Sequence, residues 1–453
     1  MHPTRPDGAA PRFAKKPRSL RERDLLAQSA RILPSAVRSA SFDPELAMVV
    51  DGARGSRIRD CSGNEYIDYL LGSGPMFLGH AHPALLEAAR AQLEKGTAYL
   101  MVNEPAIRLA EEIVTAVPCA EQVSFHNSGS EATFFAMRLA RAHRRRDKVL
   151  KFEGAYHGMG DAALMSTQWS RHPAAFPAAA PDSAGIPVRA RDDTLVAPFN
   201  DIETTAAIIE AHADELACVI VEPLHRTIPP RDGFLDALRR VTSDHAIPLI
   251  FDEVVTGFRL SFGGAQAFYG VTPDLCALGK TISGGHPLGV VCGRKEIMSH
   301  ASPERMVSGG YVRLTGTFSS NPVSCAVALA VIEELKRPGF YAAVEGRGRR
   351  LREGLEGLLQ AAEIPARVVG EATVFQPWFT EEPVTDHRSA LRADARRNLR
   401  FVDLLLRRGV VKAHEKFFVS AAHSDEDIAI TLDALEGAIS ALRGEGSVGR
   451  LRG

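Results

Sequence analysis

The chain has 453 residues, enough at roughly 150 residues per domain for two or three domains with a sizeable core. Hydrophobic residues make up 45% and charged residues 24%, which excludes collagen-like, low-complexity and wholly disordered classes. Lys+Arg 54 against Asp+Glu 55 leaves a net charge of −1, so no overall field concentrates a polyanion and no nucleic-acid partner is expected.

Residues 1–24, with seven Lys or Arg among Pro and Gly, read as a solvated basic tail, a nucleic-acid or membrane arm being the sharper alternative. This opening lacks the apolar core of a secretory signal, and no apolar run approaches the ~18 residues that cross a bilayer. Cys61, Cys119, Cys218, Cys276, Cys292 and Cys325 make no C-x-x-C pair. A cytoplasmic protein with no membrane partner is expected, its cysteines mostly small buried thiols. His80-Ala81-His82 stands without a further ligand set at metal spacing, so no metal is expected.

Asn127-Ser128-Gly129-Ser130 runs into a helical pattern, Glu131 to Arg145. Small residues at a helix start leave backbone N–H groups free to hold a phosphate; a plain N-cap is the alternative. Short apolar runs at Lys148–Phe152, Cys218–Val221, Pro248–Phe251 and Leu275–Leu278 alternate with helical patterns at Ile202–Ala213, Leu235–Asp244 and Asn321–Leu335. That alternation predicts an α/β fold, a mostly parallel sheet covered by helices. Asp252 closes the third run, at the edge where such sheets gather ligands, and either faces a cation or caps the next turn. Lys280 follows the fourth run in Gly279-Lys280-Thr281. It is either a surface cation or an amine made nucleophilic by desolvation.

From about Tyr341, amphipathic patterns at Ala343–Ala362 and Ser389–Arg408, a short apolar piece Phe417–Ala421 and a helix from Asp425 predict a smaller α+β domain. The expected division is a tail at 1–24, an N-terminal part of the small domain at 25–75, a large domain at 76–325 and a C-terminal part of the small domain at 326–453. An amine, a carboxylate and a donor-rich turn together suit pyridoxal 5′-phosphate, whose aldehyde, ring nitrogen and phosphate need one each.

Asp60-Cys61-Ser62-Gly63-Asn64-Glu65-Tyr66-Ile67-Asp68-Tyr69, Gly79-His80-Ala81-His82-Pro83 and Phe418-Val419-Ser420 carry a resemblance across almost the whole chain. In their order and spacing, with the three segments above, they resemble the class III, fold type I, pyridoxal-phosphate-dependent aminotransferases, and within them the glutamate-1-semialdehyde 2,1-aminomutase branch. The resemblance implies a seven-stranded-type sheet with helices on both faces and a homodimer with shared active sites. It implies that Ser128, Gly129 and Ser130 hold the phosphate, Tyr156 stacks on the pyridine ring and Val254 packs on its other face. Asp252 becomes the partner of the ring nitrogen, Lys280 the lysine that bonds the coenzyme, and Thr317 a phosphate contact across the dimer interface. His157, beside the stacking tyrosine, reads as a local hydrogen-bonding residue.

On the substrate side, Ser35 and Arg38 resemble the aminomutase segment that holds a carboxylate, and Glu415 aligns with an active-site glutamate. Residues 159–190 sit where the family has its gating loop. Two departures stand out: Leu224-His225-Arg226-Thr227 replaces a Gly-Asn turn, and Ser73 replaces a tryptophan. Both remodel the substrate side, so the expected reaction is transamination between two molecules, with an amine on a β or more distant carbon favoured. The aminomutase reaction is the alternative, followed by a decarboxylase, a racemase or a non-catalytic regulatory protein on the same scaffold.

Overall fold

The computed structural model describes residues 13–34, 43–167 and 174–450. Strands β1 (Val50–Arg54), β2 (Arg57–Asp60) and β3 (Glu65–Asp68) form an antiparallel meander. Seven strands follow: β4 (Gln122–His126), β5 (Lys148–Phe152), β6 (Thr194–Ala197), β7 (Leu216–Val221), β8 (Leu249–Glu253), β9 (Leu275–Leu278) and β10 (Gly289–Gly293). They make one sheet in the order β4-β10-β9-β8-β7-β5-β6, in which β10 runs antiparallel to both neighbours and the other pairings are parallel. Then β11 (Arg367–Glu371), β12 (Val374–Trp378), β13 (Val410–Val411) and β14 (Phe417–Phe418) complete two smaller sheets. β13 pairs in parallel with β3, and β11-β12-β14 stand together.

The continuous apolar runs have a direct cause. Val219 and Val221 of β7 pack with Leu150, Phe152, Leu249 and Phe251 on one face of the large sheet. Cys218 and Ile220 pack with Val149, Ile250, Ala277 and Val291 on the other, against Ala132 and Ala136 of the helix Gly129–Arg144. A strand covered on both faces has no solvent side to make polar, and each large aliphatic side chain so buried contributes about 1.5–3 kcal/mol. Cys119, Cys218, Cys276, Cys292 and Cys325 are buried, Cys61 is half-buried, and all six are free thiols.

Three sequence expectations are corrected. The stretch to residue 24 is anchored to the rest of the chain from residue 13 onward, although most of its side chains stay exposed. Phe13 lies 5.3 Å from the Tyr66 ring, the Lys16 backbone N–H donates to Asn64 Oδ1 at 2.6 Å, and a helix begins at Leu20 with Ser19 as its cap. Inside it Glu22 is buried and accepts the Val49 N–H at 2.8 Å, so this segment has partners that its composition hides. The boundary expected at 325 falls inside the helix Pro322–Leu335. Buried on most of its circumference, that helix packs against the helices Pro83–Leu93 and Glu104–Ala116 and belongs with them. The single helix expected over 389–408 is two, His387–Leu391 and Ala395–Leu406, because Asp394 turns back to accept the Arg397 N–H and starts the second. Among the described residues, no helix is long and apolar enough to cross a membrane.

Candidate active site

The carboxyl ends of the large sheet's strands converge on a cavity of about 220 Å3. The turn after β4 supplies Ser128, Gly129 and Ser130, the loop after β5 supplies Tyr156 and His157, and β7 leads into Glu222 and Arg226. Asp252 ends β8 with Val254 just beyond, and Gly279 carries the chain from β9 into Lys280. This is the crevice where open α/β sheets bind ligands.

Ser128 caps the helix Gly129–Arg144, its hydroxyl accepting the Glu131 N–H at 3.2 Å. The first N–H groups of that sixteen-residue helix therefore face the cavity with the positive end of its dipole. Two glycines keep the turn open. A Cβ on Gly129 would lie 2.8 Å from Val254 Cγ1, and one on Gly289 only 2.0 Å from the Ser128 carbonyl oxygen. The β5 loop is tied down by the buried Lys151, whose ammonium donates to the carbonyls of Ala155, Ala163 and Met165 at 3.0, 2.8 and 2.6 Å.

Asp252 and His157 are both buried, and His157 Nδ1 donates to Asp252 Oδ2 at 2.7 Å. The other carboxylate oxygen accepts the Val254 N–H at 3.1 Å. His157 is itself held by Thr133, whose hydroxyl donates to the His157 carbonyl at 2.5 Å, while His157 Nε2 is buried with no partner. A carboxylate fixed at both oxygens still has lone pairs to offer a cation in the cavity.

Lys280 takes a left-handed backbone conformation, φ 42°, of the kind that persists in non-glycine residues only where the surroundings enforce it. Burial lowers its pKa to about 8, with Arg226 adding to the effect and Asp252 and Glu222 opposing it. Glu222 accepts the Tyr156 N–H at 2.7 Å. Burial pushes its pKa up, but the cations Arg226 and then Lys416 outweigh this and hold it at about 2.

Arg226 lies between Glu222, 3.8 Å away, and Glu415, with which it forms a close ion pair. His225 and Ile228 exchange both backbone hydrogen bonds, at 2.9 and 2.8 Å, so Arg226 and Thr227 are the two central residues of a tight turn. Arg226 has φ 61° at the first central position, where glycine is favoured, a strain of about 1–3 kcal/mol. Such an outlier points to a use for its side chain.

The structure therefore brings Ser128, Gly129, Ser130, Tyr156, Asp252, Val254 and Lys280 into one cavity. His225 and Glu415 line a neighbouring cavity that shares Arg226 with the first. Ser73 is exposed, with φ 70°, and lines neither. Thr317 is exposed and lies outside its own chain's cavity. Ser35 and Arg38 lie outside the described residues, as do 168–173 of the expected gating loop. Sequence reasoning left out Glu222, Arg226 and Thr133 as site residues. Glu222 carries the same signal that singled out Asp252, an acid at the end of an all-apolar strand.

A model of the class-III aminotransferases matches residues 39–439. Glutamate-1-semialdehyde 2,1-aminomutase of Methanothermobacter thermautotrophicus is 42% identical over 432 residues, 94% of this chain and 100% of that protein. Among solved structures, an omega-transaminase from Sphaerobacter thermophilus superposes with a TM-score of 0.88 at 35% identity, over 93% of this chain and 98% of that one. A transaminase with pyridoxal phosphate bound gives 0.85 at 28% identity, over 94% and 98%.

Proposed function

Because the chain belongs to the class-III aminotransferase family, we propose that it moves an amino group from an amino compound to a separate carbonyl acceptor. Its coenzyme is pyridoxal phosphate, and the cavity fits that group on its own chemistry. The open turn at Ser128–Ser130 presents donors for a phosphate, Asp252 keeps free lone pairs for a ring nitrogen, and Lys280 offers a buried amine. Bound there, the coenzyme supplies an electron sink for a carbanion next to the transferred nitrogen.

The protein's own groups do the rest. Lys280 holds the coenzyme through its Nζ and, once a substrate amine has displaced it, moves a proton at the substrate carbon. Asp252, oriented by His157 and the Val254 N–H, keeps the ring nitrogen protonated. Val254 and Tyr156 wall the cavity beside it, and Glu222 fixes the Tyr156 backbone.

The observation that carries the two-molecule reading is the Arg226–Glu415 pair. Glu415, which aligns with the aminomutase glutamate, is engaged by a strained arginine in the turn that departs from the aminomutase pattern. The second reading, an aminomutase that returns the amine to a neighbouring carbon, is favoured by the 42% identity. Mass balance separates them. With a panel of amine donors and pyruvate or 2-oxoglutarate, we expect the acceptor to be converted to its amino acid in step with donor loss. An isomer formed with no acceptor present would establish the aminomutase instead.

The same reading includes a homodimer with Thr317 directed at the partner's phosphate site. Leu100, Met101 and Val102 are 78, 75 and 82% exposed, and Phe318, next to Thr317, is 59% exposed. Asn103 Nδ2 donates to the Ser320 carbonyl at 3.0 Å and Asn321 Nδ2 to the Thr97 carbonyl at 2.8 Å, which gathers these residues into one apolar patch. A Cβ on Gly316 would lie 3.9 Å from Asn127 Nδ2, so the patch borders the phosphate turn. Exposed apolar surface of this kind marks an interface. Light scattering should return twice the single-chain mass; a monomer at micromolar concentration would remove this part of the proposal.

A further inference from the structure

Glu222, Arg226 and Lys280 line the coenzyme cavity, and Arg226 and Glu415 line a second cavity, of about 170 Å3, beside it. The cations around these two spaces are nearly all in use. Arg226 is paired with Glu415 and lies 3.8 Å from Glu222, and Lys280 is the amine for the coenzyme. His225 is neutral, because burial lowers its pKa to about 3. Lys412, close to Glu415 in the chain, is fully buried over the Phe417 ring and donates to Gln376 Oε1 at 3.4 Å. That leaves Lys416.

Lys416 is only 4% exposed, and strand geometry sets its direction. Side chains alternate along β14, so Phe417 points one way and stacks on Phe375, while Phe418 points the other way and shares its side with Lys416. The Lys416 ammonium lies 5.9 Å from the Phe418 ring centroid, as that alternation requires. Phe418 packs in one cluster with Leu224, which sits in the chain between Glu222 and Arg226, and with Val255, which lines the coenzyme cavity. The charges that act on Lys416 are accordingly those of the site. Burial lowers its pKa to about 7, with Arg226 and Lys280 reinforcing the effect and Glu222 and Glu415 opposing it.

Among the described residues the Lys416 ammonium makes no hydrogen bond or ion pair, yet it is not one of the unpartnered atoms sealed from solvent, so it borders open space. A buried amine in that position either gives up its proton or acquires an anion. Glu222 and Glu415 do not serve, because Arg226 engages both. The coenzyme's phosphate does not serve either: its turn follows β4, and three strands separate β4 from β7.

We propose that Lys416 receives a carboxylate of the amino substrate, on the β7 side of the coenzyme cavity. The assignment to substrate rests on the reading of that cavity as the coenzyme site; the presence of an anion-binding amine does not. A carboxylate keeps a proton on Lys416 and forms a charge-assisted hydrogen bond with it, whereas an uncharged group gains no such bond. The sign follows: above about pH 7 the free site is largely neutral and the occupied site is charged, so carboxylate binding takes up a proton.

Calorimetry of the full-length holoenzyme at about pH 8, in buffers of different ionisation enthalpy, counts that proton. Propanoate should bind at least about 10-fold more tightly than its uncharged analogue propanamide and should take up close to one proton. Lys416→Arg should keep the preference and lose the uptake, since arginine stays protonated throughout. Lys416→Met, similar in length and uncharged, should lose both. In turnover, the preference for a carboxylate-bearing donor over an amine of equal length should fall at least about 10-fold in Lys416→Met and persist in Lys416→Arg.

Propanoate binding without proton uptake, or with its preference intact in Lys416→Met, would give the carboxylate to another cation and overturn the proposal. Equal binding of propanoate and propanamide to the parent would do the same. So would a Lys416→Met protein changed only in coenzyme absorbance, which would place Lys416 against the coenzyme. Borohydride trapping keeps the two readings apart. If the coenzyme is trapped on Lys280 and any of these results appears, the proposal alone falls. If no coenzyme is trapped there while propanoate binds with its proton, the functional reading falls and the anion site stands.

Discussion

Lys280→Ala should leave a folded protein that no longer bonds its coenzyme covalently and turns over on the order of 10^4-fold more slowly or worse. The expected loss is large because, in the proposed reading, one amine does two jobs, holding the coenzyme and moving the proton. Borohydride reduction followed by mass spectrometry should find the coenzyme on Lys280 in the parent and on no residue of the variant, with thermal unfolding confirming the fold. The same amine sets a pH dependence. Only the neutral form attacks an aldehyde, and burial, reinforced by Arg226, lowers the Lys280 pKa to about 8. Coenzyme attachment to the apoprotein should therefore speed up as pH rises through about 8 and level off above it, with about a tenth of the plateau rate one unit below. A lysine at its ordinary value would still be accelerating near pH 10, and that result, or an active Lys280→Ala protein, would remove Lys280 from its assigned role.

Asp252→Asn should lower kcat/KM by on the order of 10²–10⁴-fold, because withdrawing one partner of a buried charge pair costs about 3–5 kcal/mol. Asparagine keeps the shape and can still accept the Val254 N–H, but it no longer offers a charge to a protonated ring nitrogen. The coenzyme should remain attached through Lys280 while the absorbance of the bound form shifts as the ring nitrogen loses its proton. Asp252→Glu tests position against charge: it restores the charge, and it should recover part of the rate. A change of less than about threefold in Asp252→Asn would mean that the carboxylate serves only the His157 contact at 2.7 Å.

His157 shows how a residue can be read correctly and still be underestimated. Its position beside Tyr156 marks a hydrogen-bonding residue, but nothing local shows that its partner is Asp252, 95 positions away. Arg226 is a stronger case, because from sequence it is one of four residues at a departure from a pattern. Its left-handed backbone, its pairing with Glu415 and its place in two cavities exist only once β7, β12 and β14 have been brought together. Glu415, expected from the resemblance in the active site, lines the neighbouring cavity. The strand β10 is not legible in the sequence, because a five-residue run bracketed by glycines resembles a turn and its two antiparallel pairings are long-range.

The sequence by itself determined what short-range chemistry encodes: buried parallel strands as unbroken apolar runs, a helix start made of small hydroxyl and glycine residues, and an acid and a lysine each at the end of such a run. These signals are local because a strand covered on both faces, or a helix N-terminus left open, constrains its own few residues. Only the tertiary structure decided the electrostatics and the substrate side. The lowered Lys280 pKa, the ionised Glu222 and the neutral His225 depend on burial and on charges from distant segments. The second cavity depends on a turn after β7, the end of β12 and the helix His387–Leu391 meeting at one place. Burial and cavity shape are properties of the packed chain, so no stretch of sequence carries them alone.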